Sequence, residues 1–293
     1  MAAAELDIRP SPIAGIWYSD NEAILREELS NYLNLYAGSE VLLSAETLLS
    51  LVVPHAGYRY SGATAAAAFQ ALRGRQYQKV LIISPSHRAY TDPLLSSGHE
   101  AYQTPLGLVR VDRESLLLLN EELTKNRRNL KLVRFDQEHA LEIELPFLQI
   151  TLENDFELIP IMMVDQSYVT AVALADSLFA LINRFSADEN VLLIASTDLS
   201  HFHHQREAKK RDAAFISALE NGDVNQLYQA YYDRKTEACG LGPTATVLLL
   251  SEMLGANKIR IMDYRDSSYE SNDKSSVVGY VSAVISREEE YNV

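Results

Sequence analysis

Three short runs of apolar residues punctuate the chain, and each is followed at once by small or polar residues and a histidine. Leu48 to Val53 leads into Pro54-His55-Ala56-Gly57-Tyr58, and Tyr77 to Ser84 leads into Pro85-Ser86-His87. Val191 to Ala195 leads into Ser196-Thr197-Asp198-Leu199-Ser200-His201. The hydrophobic stretches do not alternate cleanly with polar positions, which is the pattern of parallel strands covered on both faces. In open α/β sheets, ligands bind just beyond the carboxyl ends of such strands. The pattern therefore predicts three strand ends that bring histidines to one rim.

Segments of helical spacing lie between these runs. Asn21 to Tyr36 carries Ile24, Leu25, Leu29, Tyr32 and Leu33 behind an acidic first turn at Glu22, as in an amphipathic helix. Ala63 to Leu72 is an alanine-rich helix, entered after Gly57 and Gly62 loosen the backbone. Further helices are predicted over Arg113–Lys125, Ala140–Leu152, Val169–Phe185, Arg206–Asn221, Asp223–Tyr232 and Thr244–Leu254. Phe156–Val164, Lys258–Tyr264 and Val277–Ser286 read as strands, and Leu94–Asp112 as short strands, antiparallel rather than helical. Residues 6–20 form an extended lead-in whose Trp17, the only tryptophan, anchors the terminus; Arg287 to Val293 is a charged, frayed tail. Strands and helices alternate without repeats or linkers. The expected fold is one α/β domain over residues 1–293, with a central mixed, mostly parallel sheet flanked by helices.

Composition narrows the function. Lys and Arg number 26 against 40 Asp and Glu, a formal charge of −14, which argues against the phosphate contacts that drive nucleic-acid binding. No apolar run is long enough to span a membrane, and the first residues lack the character of a signal peptide. The single cysteine, Cys239, excludes an internal disulfide and fits a reducing cytoplasm, the expected location.

The chemistry lies at the strand ends. Adjacent parallel strands run ~5 Å apart, so His55 and His87 at equivalent ends could share one metal ion. Two neutral imidazoles with an anionic third ligand suit Fe(II), Cu or Zn. That third ligand is Cys239, Asp198, or a carboxylate such as Glu142. Asp198 and His201 lie three residues apart; on a helical turn they would share a face and form an acid–base pair. His139 opens a helix beside Glu138, where it either lines the pocket or caps the surface; His99 has no assigned role, and His203 and His204 are expected to face solvent. No Gly-x-Ser-x-Gly elbow, phosphate-binding loop or dinucleotide fingerprint occurs.

Seven ordered blocks resemble one family: Ala14-Gly15-Ile16-Trp17-Tyr18, Pro54-His55-Ala56-Gly57-Tyr58, Ser84-Pro85-Ser86-His87, Tyr102-Gln103-Thr104-Pro105-Leu106-Gly107, Glu138-His139-Ala140-Leu141-Glu142, Ser196-Thr197-Asp198-Leu199-Ser200-His201 and Cys239-Gly240. In this order they resemble the MEMO family, whose microbial members are labelled protein B of the AmmeMemoRadiSam system. That family is similar in fold to the LigB-type class III extradiol dioxygenases. The resemblance implies a LigB-dioxygenase-like domain in which His55, His87 and Cys239 are metal ligands, Cys239 standing where the dioxygenases carry a carboxylate. It implies His201 as the catalytic acid–base group with Asp198 beside it, and Tyr58 and His139 at the substrate. Fe(II) is the implied cofactor, with Cu or Zn as alternatives, and a small phenolic molecule the implied substrate. AMMECR1-like and radical-SAM proteins are the implied partners. A thiolate is softer than a carboxylate and open to oxidation, which departs from the ring-cleaving enzymes. A metal- or peptide-binding scaffold without turnover, and a zinc hydrolase using His201 as base, are the rival expectations.

Overall fold

The computed structural model describes residues 6–38, 43, 46–88 and 90–288. Its frame is a sheet whose centre is parallel. Strand β1 (Ile8–Arg9) is followed by helix α1 (Glu22–Asn34), β2 (Glu46–Val53), α2 (Tyr58–Phe69), β3 (Lys79–Pro85), β4 (Leu94–Ser97), β5 (Ala101–Thr104), β6 (Gly107–Val111), α3 (Arg113–Lys125) and β7 (Leu130–Val133). The chain continues through α4 (Leu145–Thr151), β8 (Glu157–Met163), α5 (Tyr168–Ile182), β9 (Val191–Ser196), β10 (Asp198–His203), α6 (Gln205–Glu220) and α7 (Val224–Tyr232). It closes with α8 (Leu241–Met253), β11 (Lys258–Asp266), the short α9 (Ser268–Ser271) and β12 (Val277–Glu288).

The strand order β1-β5-β6-β8-β3-β9-β2-β12-β10 puts four mutually parallel strands, β8, β3, β9 and β2, in the middle. Every residue of β3 is buried, which accounts for its unbroken apolar sequence. The long β12 pairs antiparallel with β2, β10 and β11 and carries the sheet across to the far edge. Helix α2 packs on β2, β11 and β12, whereas α8 packs on β9, β3 and β2. Side-chain caps start the helices where the sequence has them: Asn21, Asp112, Ser167 and Asp223 each accept a hydrogen bond from a first-turn N–H.

The structure departs from the sequence reading at several points. Strands β2 and β3 are not neighbours, because β9 lies between them and pairs with both. Helix α2 starts at Tyr58, five residues before Ala63, so Gly62 lies inside it. There Gly62 serves close packing: a Cβ would stand 2.8 Å from the Tyr32 ring of α1. The segment predicted as one helix from Ala140 begins as a 3-10 turn at Glu142–Glu144 before α4. Within Leu94–Asp112, β5 and β6 are antiparallel as expected, while β4 also pairs in parallel with β7. Arg287 and Glu288 extend β12; the rest of the expected tail lies outside the described residues.

Candidate metal centre and cavity

Prolines and glycines set the positions of the three candidate ligands. His55 follows Pro54 at the end of β2, and His87 stands two residues past Pro85, the last residue of β3. Cys239 belongs to the turn before α8. That turn lies hard against the end of β9: a Cβ on Gly240 would stand 2.3 Å from the Ser196 carbonyl oxygen, so only glycine fits beside the cysteine. One donor atom each from His55, His87 and Cys239 falls within 4.8 Å of the others, and Cys239 Sγ is 3.2 Å from His55 Nε2. Ligand atoms sharing a metal at about 2.0–2.3 Å lie about 3.3–3.8 Å from one another, so this donor set fits one ion with little movement.

Hydrogen bonds fix which ring nitrogens are free. Ser196 Oγ is 2.8 Å from His55 Nδ1, 2.6 Å from the Ala140 carbonyl and 2.9 Å from Glu144 Oε1. The hydroxyl has one proton, and the Ala140 carbonyl and Glu144 Oε1 are the acceptors for it, which leaves its oxygen to accept from His55 Nδ1. Burial pushes the Glu144 carboxyl well above the usual range. His55 thus carries its proton on Nδ1 and turns the Nε2 lone pair to Cys239. His87 is set in the same way, with Nδ1 donating to Glu138 Oε1 at 2.9 Å. Glu138 also accepts from the backbone N–H groups of His87, His139 and Ala140. Burial would raise its pKa, but these bonds hold it down to about 2. Although Glu138, His87 and His139 also converge, the oxygens of Glu138 are engaged by N–H donors. Glu138 is the carboxylate that orients the His87 imidazole, one of the three candidate ligands. Sequence reasoning missed this role; the glutamate beside His139 in Glu138-His139-Ala140-Leu141-Glu142 was the available signal.

Burial disfavours charge on two of the three candidate ligands, His55 and Cys239. Burial, and then the neighbouring His87, His139 and His201, hold His55 well below the usual imidazole range. Burial and then Asp198 push the Cys239 thiol up. A bound cation would favour the thiolate.

The histidines border a cavity of about 590 Å³ lined by Ile16, Trp17, Arg59, Tyr60, His139, Asp198, His201, Val278 and Tyr280 among others. His139 stacks on His87 with ring centres 4.8 Å apart, and Trp17 lies 4.1 Å from His139. Trp17, expected only as an anchor, is thus part of the wall. Burial holds His139 at about 4, against the attraction of Glu138, and lowers His201 as well.

Asp198 and His201 reach the cavity from β10, a strand rather than a helical turn. Its pairing with β12 breaks register on both sides of His201, and Phe202 adopts φ +61°. Asp198 does not orient His201: its Oδ1 accepts the backbone N–H of His55 at 2.8 Å, and burial pushes its carboxyl up to about 7. The His201 backbone is instead held by Glu237 Oε1 at 3.0 Å. Glu142, offered as a third ligand, is consumed by Arg9, Ser11 and Tyr18. Tyr58 does not line the cavity; it is 2% exposed and donates to the Ile143 carbonyl at 2.6 Å. His99 is buried, paired with Asp7 and the Phe135 N–H. His203 meets Glu237, and His204 caps α6.

Among the described residues, no helix is long and apolar enough to cross a membrane. The Memo-like protein family matches residues 9–284 of the chain. A MEMO1 family protein of Thermotoga neapolitana is 34% identical, over 95% of this chain and 100% of its own length. One from Methanosarcina mazei is 32% identical over 96% of this chain and 100% of its own, and one from Methanosarcina barkeri 31% over 95% and 100%. The matched span takes in every residue that lines the cavity and all three candidate ligands, and the chain belongs to the Memo family.

Proposed function

We propose that His55, His87 and Cys239 hold one metal ion, Fe(II) first and Cu or Zn as alternatives. On this reading the protein is an oxidoreductase of the extradiol-dioxygenase kind acting on a small phenolic substrate. The observation that carries it is the convergence of three donor atoms within 4.8 Å, at the edge of a cavity large enough for a small aromatic molecule. When bound, the ion would supply Lewis acidity and redox chemistry.

The chain's own residues do the rest. Ser196 and Glu138 keep the ligating nitrogens unprotonated and aimed. His201, lowered by burial, is neutral near pH 7 and positioned on the cavity wall to take a phenolic proton on an imidazole nitrogen. Asp198 braces the His55 backbone. Trp17 and His139 form an aromatic wall beside His87.

Metal content after anaerobic purification tests this, in wild type and in His55→Ala, His87→Ala and Cys239→Ser. Stoichiometric iron or copper in wild type, lost from all three variants while circular dichroism is unchanged, is the expected result. Catechol-dependent oxygen uptake should then accompany the metal. A wild type that takes up no metal, even after reconstitution with Fe(II), Cu(I) and Zn(II), overturns the reading. Retained zinc with ester or amide hydrolysis and no oxygen uptake replaces the oxidoreductase by a hydrolase.

A further inference from the structure

We infer that Glu237 is a positioning residue for His201, and that through it the segment carrying Cys239 also sets the histidine on the cavity wall. This rests on the reading of His201 as the group that takes the phenolic proton, and adds what fixes its place.

His201 lies where the sheet gives its backbone N–H no partner. β10 is the last strand in the sheet order, and it carries one residue more than β12 on each side of the His201–Val278 pair. Bulges of this kind re-aim a side chain. Val278 spends its own N–H and carbonyl on Ser267, at 3.1 and 2.9 Å, so neither serves His201. The next residue, Phe202, is 76% exposed and has φ +61°, a conformation that bulky residues rarely adopt. So exposed a side chain adds little packing to hold the turn. Polar contacts must hold it.

Two carboxylates do so. Buried Asp212 of α6 accepts the Ser200 N–H at 2.9 Å, and Gly279 makes room for it: a Cβ there would stand 2.1 Å from Asp212 Oδ2. Glu237 accepts the His201 N–H at 3.0 Å and is itself held by His203 Nε2 and Arg211. Glu237 stands two residues before Cys239, whose N–H donates to the Asp198 carbonyl at 3.2 Å. Cys239 Sγ in turn accepts the Asp198 N–H at 3.2 Å. The segment Glu237–Cys239 thus runs along the outer edge of β10, tied to Asp198 at one end and to His201 at the other. An edge strand ordinarily shows such N–H groups to water. Here a carboxylate takes one, and joins the candidate thiol ligand to the candidate proton acceptor.

The metal-free protein, labelled with 15N-histidine, is titrated by NMR, with His201→Gln identifying the His201 ring signals. Burial lowers the His201 pKa below the ordinary 6.5, whereas the charge of Glu237 raises it. Positioning and simple attraction therefore predict opposite shifts. In Glu237→Ala, a ring released into water titrates higher, towards about 6.5. A ring that stays in place only loses the attraction and titrates lower. The expected result is the rise in Glu237→Ala and no rise in Glu237→Gln, whose amide oxygen still accepts the His201 N–H. A fall or no shift in Glu237→Ala overturns the inference. An equal rise in Glu237→Gln also overturns it, by moving the anchor from the His201 N–H to Arg211 and His203. Glu237 is 33% exposed, and unchanged circular dichroism of both variants is the folding control. Trp17 is the only tryptophan and lines the cavity, so its fluorescence reports catechol binding. Any affinity lost in Glu237→Ala should vanish in a His201→Gln background; additive losses overturn the inference. A protein that binds neither metal nor catechol sinks the phenolic reading and leaves the NMR titration to decide this one.

Discussion

Two polar clusters meet on the segment Asp136–Glu142, and they are built on opposite terms. In the first, Arg9 is 1% exposed and donates to both carboxylate oxygens of Asp136, to Glu142 and to the Glu138 carbonyl. Tyr18 and Ser11 complete Glu142, and Tyr102 lies under the guanidinium at 4.7 Å. Full charges are present, and each is answered by another part of the protein. In the second, donor atoms of His55, His87 and Cys239 converge within 4.8 Å with no ion pair among them, and Cys239 Sγ meets His55 Nε2 and the Asp198 backbone. Burial differs too: Arg9, Asp136 and Glu142 are buried, whereas His87 is exposed and Cys239 half-buried, so the first cluster is closed on itself and the second opens to the cavity. The closed cluster also supports the open one, because Arg9 holds the segment that carries Glu138 and His139.

That contrast breaks most visibly at Arg9. Arg9→Met leaves two buried carboxylates facing no cation, and should lower stability by about 3–5 kcal/mol, measured by urea denaturation of the metal-free protein. A loss under 1 kcal/mol would mean that the cluster is not the anchor described. At the open cluster, Glu138→Gln is nearly isosteric but removes the charge that orients His87. It should weaken metal affinity about 10–100-fold, and also lower metal-free stability near pH 7, because the bonds that hold its pKa at about 2 favour the ionised carboxylate in the fold. Lost stability with unchanged metal affinity would move Glu138 into the structural class.

His139 gives the open cluster a pH signature. An ordinary imidazole titrates near 6.5, and His139 in the fold near 4. Between those values the unfolded chain binds a proton that the folded chain does not. The resulting stability is complete above pH ~6.5 and is lost as pH falls towards ~4. Metal-free wild type should therefore lose about 2–3 kcal/mol more than His139→Gln between pH 7 and pH 4. Parallel stability curves for the two proteins would remove His139 from the buried wall.

Much of this was readable from the chain. The apolar runs ending in Pro or Ser and a histidine placed β2, β3 and β9 and two of the candidate ligands, because burial on both faces leaves an unmistakable local pattern. What failed was long-range. Nothing local says that β9 inserts between β2 and β3, or that Asp198–His201 pairs with β12, some eighty residues away, rather than turning as a helix. Glu142 looked available as a ligand because its partner, Arg9, lies 133 residues earlier in the sequence. Trp17 looked like an anchor because the lead-in and the 139 region meet only in the fold.

Tyr58 tests the same distinction at its smallest scale. It belongs to the Pro54–Tyr58 block and follows His55 by three residues, and the family resemblance implied substrate contact for it. The fold places it on the closed side: its ring packs against Tyr18 and Phe147 at 5.4 and 5.0 Å, and its hydroxyl is spent on the Ile143 carbonyl. Tyr58→Phe removes one hydrogen bond and leaves the packing intact, which should cost about 1 kcal/mol. Metal content and the Trp17 fluorescence response to catechol should not change. Tyr60, two residues on and half-open to the cavity, provides the contrast: Tyr60→Ala should leave stability within about 0.5 kcal/mol of wild type and weaken catechol binding. If Tyr58→Phe instead shifts ligand affinity while stability holds, the wall of the cavity extends deeper than Tyr280 and His139, and the boundary between the closed and open clusters must be redrawn through α2.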